Sequence, residues 1–385
     1  MKPGVLVIGN HVQALGVIRS LGRRNIPVYL VNDRSLCISR FSKYLKKFIK
    51  MDIANDSEFV DSMIKLATKE NTEGWILMPT NDIMVYILSR YKSILEEYYR
   101  VSTPSWDVIK YAYDKKLTHE LAKKSGVPTP KTVYPKDFDD VVGIASNLEY
   151  PLIIKGISGY TFYRKTKVKV MYVNSKEELI NAYKRLTPIV SPTEIMIQEV
   201  IPGGHVYSFC SFFKNKEVIA IWIGKKIREH PMGFGTGTFA ESIYVPEIRE
   251  LGACILKAMN YYGISEIEFK RDKRDGKFKL LEINARTWLW HSLASRCGVD
   301  FPYILYRDSI GEDVSPITSF RVNVKWIHFY TDLWVSVKEL IRGKFKISEY
   351  LKSLRGEKEF AVFCVDDPLP FICETLILPY LWKTR

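Results

Sequence analysis

"SEIEFKRDKRDGKFKLLEINAR", residues 265–286, reads as a β-hairpin: two runs of alternating apolar and polar residues flank an Asp-Gly turn signal. In an extended chain successive side chains point to opposite faces, so Glu282, Asn284 and Arg286 share one face of the second strand. Loop length fixes what they oppose. A two-residue turn at Asp275-Gly276 would set Lys270 against Leu281, polar against apolar. A three-residue loop over 274–276, with Gly276 left-handed, instead places Glu268 opposite Glu282 and Glu266 opposite Asn284. Ile267, Phe269, Leu281 and Ile283 then share the other face. Two carboxylates directly opposed repel by a few tenths to ~1 kcal/mol unless something compensates. A divalent cation is one compensation, since hard ions such as Mg²⁺ take carboxylate and amide oxygens. A solvated sheet face screened by water and lysines is the other.

The surrounding chain narrows the choice. Its 385 residues allow two or three domains with their own cores, and 46% hydrophobic with 26% charged residues is ordinary for a globular protein. No apolar run reaches the length of a membrane span, and "MKPGVLVIGNH" enters a strand directly, without the pattern of a signal peptide. The six cysteines are scattered with no CxxC pair, which predicts reduced core thiols in a cytoplasmic protein and no zinc site. The net charge of +14 is concentrated beside glycines. Residues 155–169 carry five Lys/Arg and no acid, and "GKKIR" (224–228) adds three more, whereas residues 311–385 balance 11 Lys/Arg against 10 Asp/Glu. That placement suits the phosphates of a small ligand better than a nucleic-acid track.

Residues 4–32 form a βαβ pattern, a strand at 5–8 passing through Gly9 into a helix and then a strand at 28–31. A dinucleotide fingerprint is absent, because position 11 is His and position 14 is Ala, so a structural Rossmann-like unit is expected. "GWILMPT" (74–80) is a further strand, followed by Asn81, Asp82 and a helical run toward Tyr99. Asp114 is a helix cap, with Gly126, Pro128 and Pro130 closing that helix. Strands and helices alternate over 131–200, with a helix across 175–186. Hairpin strands follow in 205–245, interrupted by a glycine-rich loop, "HPMGFGTGTFAES" (230–242), and a helix covers 246–262.

With these pieces in order, the chain resembles the ATP-grasp superfamily over residues 4–310. Glu268 with "LLEINAR" resembles its metal-binding E…E-x-N-x-R signature. "YDKKLTHELAKKSGVPTPKT" resembles the helix that opens the grasp domain, "YPLIIKG" a nucleotide-contacting strand, and "MIQEVIPGG" the adenine hinge. The likeness is to the carboligase group near D-aspartate ligases and carbamoyl-phosphate-synthase-like ligases. It implies an α/β (α+β grasp) architecture. A Rossmann-like pre-ATP-grasp domain (1–104) would precede a two-lobed ATP-grasp domain (105–190 and 191–310) and a mostly helical C-terminal extension (311–385).

The resemblance also implies roles. Glu268, Glu282 and Asn284 would bind Mg²⁺ or Mn²⁺. Lys115 and Lys155 would contact ATP phosphates, with the glycine-poor loop 156–166 closing over them and Lys165 or Lys167 reaching oxygens. Gln198, Glu199 and Ile201 would meet adenine. His205 stands where many relatives have a ribose-binding carboxylate, and a solvent-facing loop histidine is its alternative reading. Arg286 would bind the oxyanion being phosphorylated, its guanidinium fork matching a carboxylate. Lys226 and Arg228 would face substrate or γ-phosphate, or else end a basic strand; Asp82, Gly235 and Thr236 would contact an acceptor. The implied activity is an ATP- and Mg²⁺-dependent carboxylate–amine ligase acting on small molecules. A bicarbonate-activating enzyme and a non-catalytic nucleotide-binding regulator are the alternatives. Membrane association through the aromatic C-terminal helices is a further reading, set against their packing on the grasp domain.

Overall fold

The strand Val5–Ile8 is apolar at every position because it lies at the centre of a five-stranded parallel sheet with both faces covered. This computed structural model describes residues 2–344 and 346–384. The order across the sheet is Lys47–Lys50, Val28–Asn32, Val5–Ile8, Ile76–Pro79, Arg100–Val101. The chain therefore reverses its direction of travel beside Val5–Ile8, which opens a crevice at the carboxyl ends of that strand and of Ile76–Pro79. Gly9 turns there with φ +125°, and a Cβ on it would collide with the Thr80 hydroxyl. Asn10 and Asn81 cap the helices His11–Gly22 and Asp82–Arg90, so Asp82 sits in a first helical turn at the crevice rim.

A second, four-stranded antiparallel sheet follows, ordered Thr132–Val133, Ile195–Glu199, Leu152–Gly156, Met171–Val173. The helices Phe138–Ile144 and Lys176–Leu186 bury Val141, Leu179, Ala182 and Leu186 against it. Ile195–Glu199 hydrogen-bonds into this sheet, although the sequence expectation starts the second lobe at 191. The expected loop 156–166 is mostly helix: Ser158 caps Gly159–Thr166, whose Phe162 is buried. Where one helix closed by Gly126 was expected, two stand, Trp106–Tyr113 and Lys115–Lys124, the second capped by Asp114 through the backbone N–H groups of Lys116 and Leu117.

The third sheet has seven strands and carries the hairpin at one edge. Its order is Phe278–Asn284, Gly263–Arg271, Val206–Lys214, Glu217–His230, Thr236–Ser242, Lys325–Ile327, Lys358–Phe360. The expected glycine-rich loop over 230–242 is strand from Thr236 on, leaving 231–235 as the loop. The C-terminal segment holds the helices Phe329–Ile341, Ile347–Ser353 and Leu369–Thr384, and it also supplies the last two strands, which cover the edge of Thr236–Ser242. Within it, Asp367 reaches back to the helix His11–Gly22 and the loop after Phe41. It accepts from Arg19 Nε (2.9 Å), Ser42 Oγ (2.7 Å) and the Lys43 N–H (2.9 Å), and both Arg19 and Asp367 are buried. Cys37, Cys210 and Cys297 are core thiols as expected, but Cys254 is exposed and Cys364 and Cys373 are half-buried. All six are free.

Candidate active site

In the hairpin, Glu268 pairs with Glu282 and Glu266 with Asn284, as the alternation requires. Two departures from regularity cancel to give that register. The loop holds four residues rather than three: Asp272 N–H donates to Lys277 O, and the N–H of Gly276 (φ +71°) donates to Asp272 O. A bulge at Leu281 then returns the residue so gained. One consequence corrects the sequence reading: Leu280, opposite Phe269, fills the core position expected for Leu281, which is only half-buried.

The polar face is a closed electrostatic set. Lys226 Nζ lies 2.7 Å from Glu268 Oε1 and 3.8 Å from Glu229, in a site where all three are buried. Burial alone would lower the Lys226 ammonium, but Glu268, Glu229 and Glu266 outweigh it and hold it above its ordinary value. Burial raises Glu268, partly offset by Lys226. Glu282 is opposite in character: burial would raise it, yet Lys115 (Nζ 3.6 Å from Oε2), Lys226 and Lys155 hold it down at about 2. Lys155, at the end of Leu152–Gly156, faces this cluster and is pushed down to about 7 by burial and by Lys115. A Cβ on Gly159 would come within 3.4 Å of Lys115 Nζ, so the start of the Gly159–Thr166 helix approaches the same point.

In the sequence Glu266 stands only as the residue opposite Asn284. It accepts from Ser208 Oγ (2.8 Å) and from Asn284 Nδ2 (3.1 Å), and burial and Glu268 push it up to about 8. Its contact fixes the Asn284 amide so that Oδ1 turns toward Arg286, which donates to it at 3.1 Å. Its signal was the i, i+2 spacing from Glu268, which puts both carboxylates on one strand face.

Arg286 already holds a carboxylate, that of Asp82. Its Nε lies 2.7 Å from Asp82 Oδ1 and its Nη2 3.1 Å from Oδ2, a bidentate fork across the crevice of the five-stranded sheet. Arg228 is placed otherwise. A break in the pairing of Lys226 and Arg228 with the next strand turns it to a buried, bidentate pair with Asp332 (2.8 Å for each bond), and its Nη1 donates to Ser353. It is thus tied to the C-terminal helices and lies over the Phe239 ring.

The hinge residues lie along one strand end. Gln198 is buried and donates to Thr132 Oγ1 (2.9 Å). Glu199 accepts from the Lys131 N–H (2.7 Å) and from Arg274 (2.6 Å), and Ile201 is buried. His205 is exposed, directly after glycines 203 and 204, both with positive φ. Gly235 is pressed on the His230 backbone, and Thr236 is exposed. Beside them, Phe234 meets Tyr172 of the second sheet with ring centroids 5.3 Å apart, so this loop touches the opposite lobe. Lys165 pairs with Glu194 (2.6 Å), and Lys167 ends its helix in the left-handed conformation.

Glu268, Glu282 and the fixed Asn284 Oδ1 are hard oxygen donors on one face, which fits a Mg²⁺ ion. Among the described residues no three His, Cys, Asp or Glu side chains gather closely enough to cage a metal. Such an ion would take two carboxylates and one amide from the protein and fill its other positions with ligand or water oxygens, the usual mode for Mg²⁺.

No family model matches the chain. It is 21% identical over 297 residues to a D-aspartate ligase of Enterococcus faecium (strain Aus0004), covering 73% of this chain and 70% of that one. It is 24% identical over 312 residues to the carbamoyl phosphate synthase large chain of Campylobacter jejuni, covering 76% of this chain but only 27% of that much longer protein. Among solved structures, the biotin carboxylase domain of Hydrogenobacter thermophilus 2-oxoglutarate carboxylase, in complex with MgADP, ADP and bicarbonate, superposes with a TM-score of 0.66 at 19% identity. That match covers 84% of this chain and 74% of the other.

Proposed function

We propose that this protein, a member of the ATP-grasp superfamily, is an ADP-forming ligase that couples ATP hydrolysis to joining a small carboxylic acid and an amine. The observation that carries this reading is the convergence of Glu268, Glu282, Asn284 and Arg286 with Lys115, Lys155 and Lys226 across two facing sheets. Such a set matches the needs of phosphoryl transfer, where catalysis is mostly placement and neutralisation of charge.

ATP would lie between the four-stranded and seven-stranded sheets, its adenine beside Gln198, Glu199 and Ile201 and its phosphates toward Lys115 and Lys155. Burial and Lys115 hold Lys155 low in the ligand-free protein, and phosphate oxygens beside it would favour its charged form. Mg²⁺ on Glu268, Glu282 and Asn284 would neutralise the transferring phosphoryl group. Arg286 would exchange Asp82 for the substrate carboxylate and hold it bidentately. One carboxylate oxygen attacks the γ-phosphorus, the bond to the β-bridging oxygen breaks, and ADP leaves with an acyl phosphate formed. The amine nitrogen then attacks the acyl carbon, inorganic phosphate departs, and the nitrogen releases a proton as the amide forms. No covalent enzyme nucleophile is required.

Bicarbonate is the second acid to consider, because the Hydrogenobacter structure of the same fold contains it. Phosphate release with ATP and Mg²⁺ over pairs of organic acids and amines, with bicarbonate as a separate arm, distinguishes the two. Glu282→Gln is expected to lower ADP formation by at least a hundredfold with an unchanged melting temperature. Full activity in that variant sinks the proposal. ATP binding with no ADP formation from any acid would point instead to a regulatory protein.

A further inference from the structure

The C-terminal helices present an apolar surface that the ligase reading does not use. Ile341 is 82% exposed, Ile347 65%, Leu351 58% and Trp334 50%. All four lie on, or at an end of, the helices Phe329–Ile341 and Ile347–Ser353. The neighbouring helix Leu369–Thr384 is apolar nearly all round, and its Leu376 is 75% exposed. The helices adjoin: Tyr330 stacks on Phe371 at 5.6 Å and bonds to Thr375 at 2.6 Å. Isolated exposed leucines need no explanation, but five large apolar side chains at least half exposed on three helices of one segment point to an interaction site.

Charge indicates what covers it. Lys338, Arg342, Lys344, Lys346, Lys352 and Arg355 are all exposed within residues 333–355, interleaved with the apolar side chains. Only Glu339 and Glu349 oppose them in that span, and Glu339 is buried beneath Arg342 and Lys344. A two-fold contact between copies of this face would set these cations against one another, which disfavours self-association. Interleaved cations and large apolar residues are the composition of helices that lie in the plane of an anionic bilayer, apolar side chains immersed and Lys/Arg stems snorkelling to headgroups.

We propose that this face, formed by Phe329–Ile341, Ile347–Ser353 and the outer side of Leu369–Thr384, docks on an anionic lipid surface without crossing it. No described helix is long and apolar enough to span; 16 residues reach about 24 Å, short of a hydrocarbon core of about 30 Å. The face is tied to the site, because Arg228 binds Asp332 of the first helix and Ser353 of the second from the strand that also carries Lys226. Docking would therefore bring the Lys226 cleft to the membrane, whichever acid and amine are joined there.

The test is co-sedimentation of the full chain with phosphatidylcholine vesicles, with and without about a third phosphatidylglycerol. Binding is expected only to the anionic vesicles and is expected to weaken with added salt. A double variant, Ile341→Gln with Leu351→Gln, should bind at least tenfold more weakly, and so should Lys338→Glu with Lys352→Glu, two exposed lysines. Both should keep the wild-type melting temperature and ATP turnover in solution. Wild-type protein remaining in the supernatant with anionic vesicles at low salt overturns the proposal. So does a wild-type dimer in sedimentation velocity that the glutamine variant dissociates while lipid binding is absent. Neither outcome touches the ligase reading, which rests on separate residues.

Discussion

Around single side chains, buried charge is held by near neighbours of opposite sign, and a buried base, His119, is held neutral. His119 is buried, its Nδ1 2.7 Å from the Tyr134 hydroxyl, and burial with the nearby Lys155 and Lys115 pushes it down to about 3. Its folded value lies below its unfolded one, so the unfolded chain binds the extra proton and stability is lost as pH falls below about 6.5. Between pH 7 and pH 5 the loss from this group is about 2 kcal/mol. Urea unfolding of the ligand-free protein at the two pH values should show wild type losing that much more than His119→Gln; equal losses would contradict it. The sequence carried no sign of this, because His119 lies mid-helix like any surface residue. Asp82 was legible as a polar residue at a strand end, but its partner was not: Arg286 is 204 positions away, and only the reversal of strand order in the first sheet brings the two together.

Among elements, alternation was the strongest signal and loop geometry the weakest. The pairs Glu268–Glu282 and Glu266–Asn284 were readable because each has only one face to occupy once Ile267 and Ile283 are buried. The four-residue loop and the Leu281 bulge were not readable, since they compensate and leave the pattern at the site unchanged. Gly276 is left-handed with no heavy atom within 4 Å of an added Cβ, so Gly276→Ala meets backbone strain alone. It should cost about 1 kcal/mol in chemical denaturation while ATP turnover is unchanged; a loss of turnover would show that the loop reaches the site. The helix Gly159–Thr166 was hidden by its composition, in which Tyr, Thr and Phe outweigh good helix formers, and the Ser158 cap with Phe162 burial decides it.

Across the whole molecule, the C-terminal segment is bound in at both ends of the fold. Asp332 is fully buried, and its two oxygens are taken by Arg228, with Thr238 bonding to one of them at 3.0 Å. Removing one partner leaves a buried charge uncompensated, a loss of about 3–5 kcal/mol, whereas replacing both with apolar residues of similar volume is close to neutral. Arg228→Met should therefore lower stability by that amount, and adding Asp332→Leu should restore most of it, both measured by thermal and urea unfolding. A single variant as stable as wild type would mean the pair contributes nothing. No local pattern in the sequence announces this pair, because 104 residues separate its members and each sits in an ordinary amphipathic context. The contact of Asp367 with Arg19 has a consequence in time. On the ribosome the helix His11–Gly22 emerges hundreds of residues before this partner, and until position 367 is made the Arg19 guanidinium lacks the carboxylate that pairs with it. The helix that carries Arg19 is thus sealed only once a residue 348 positions further along has been made.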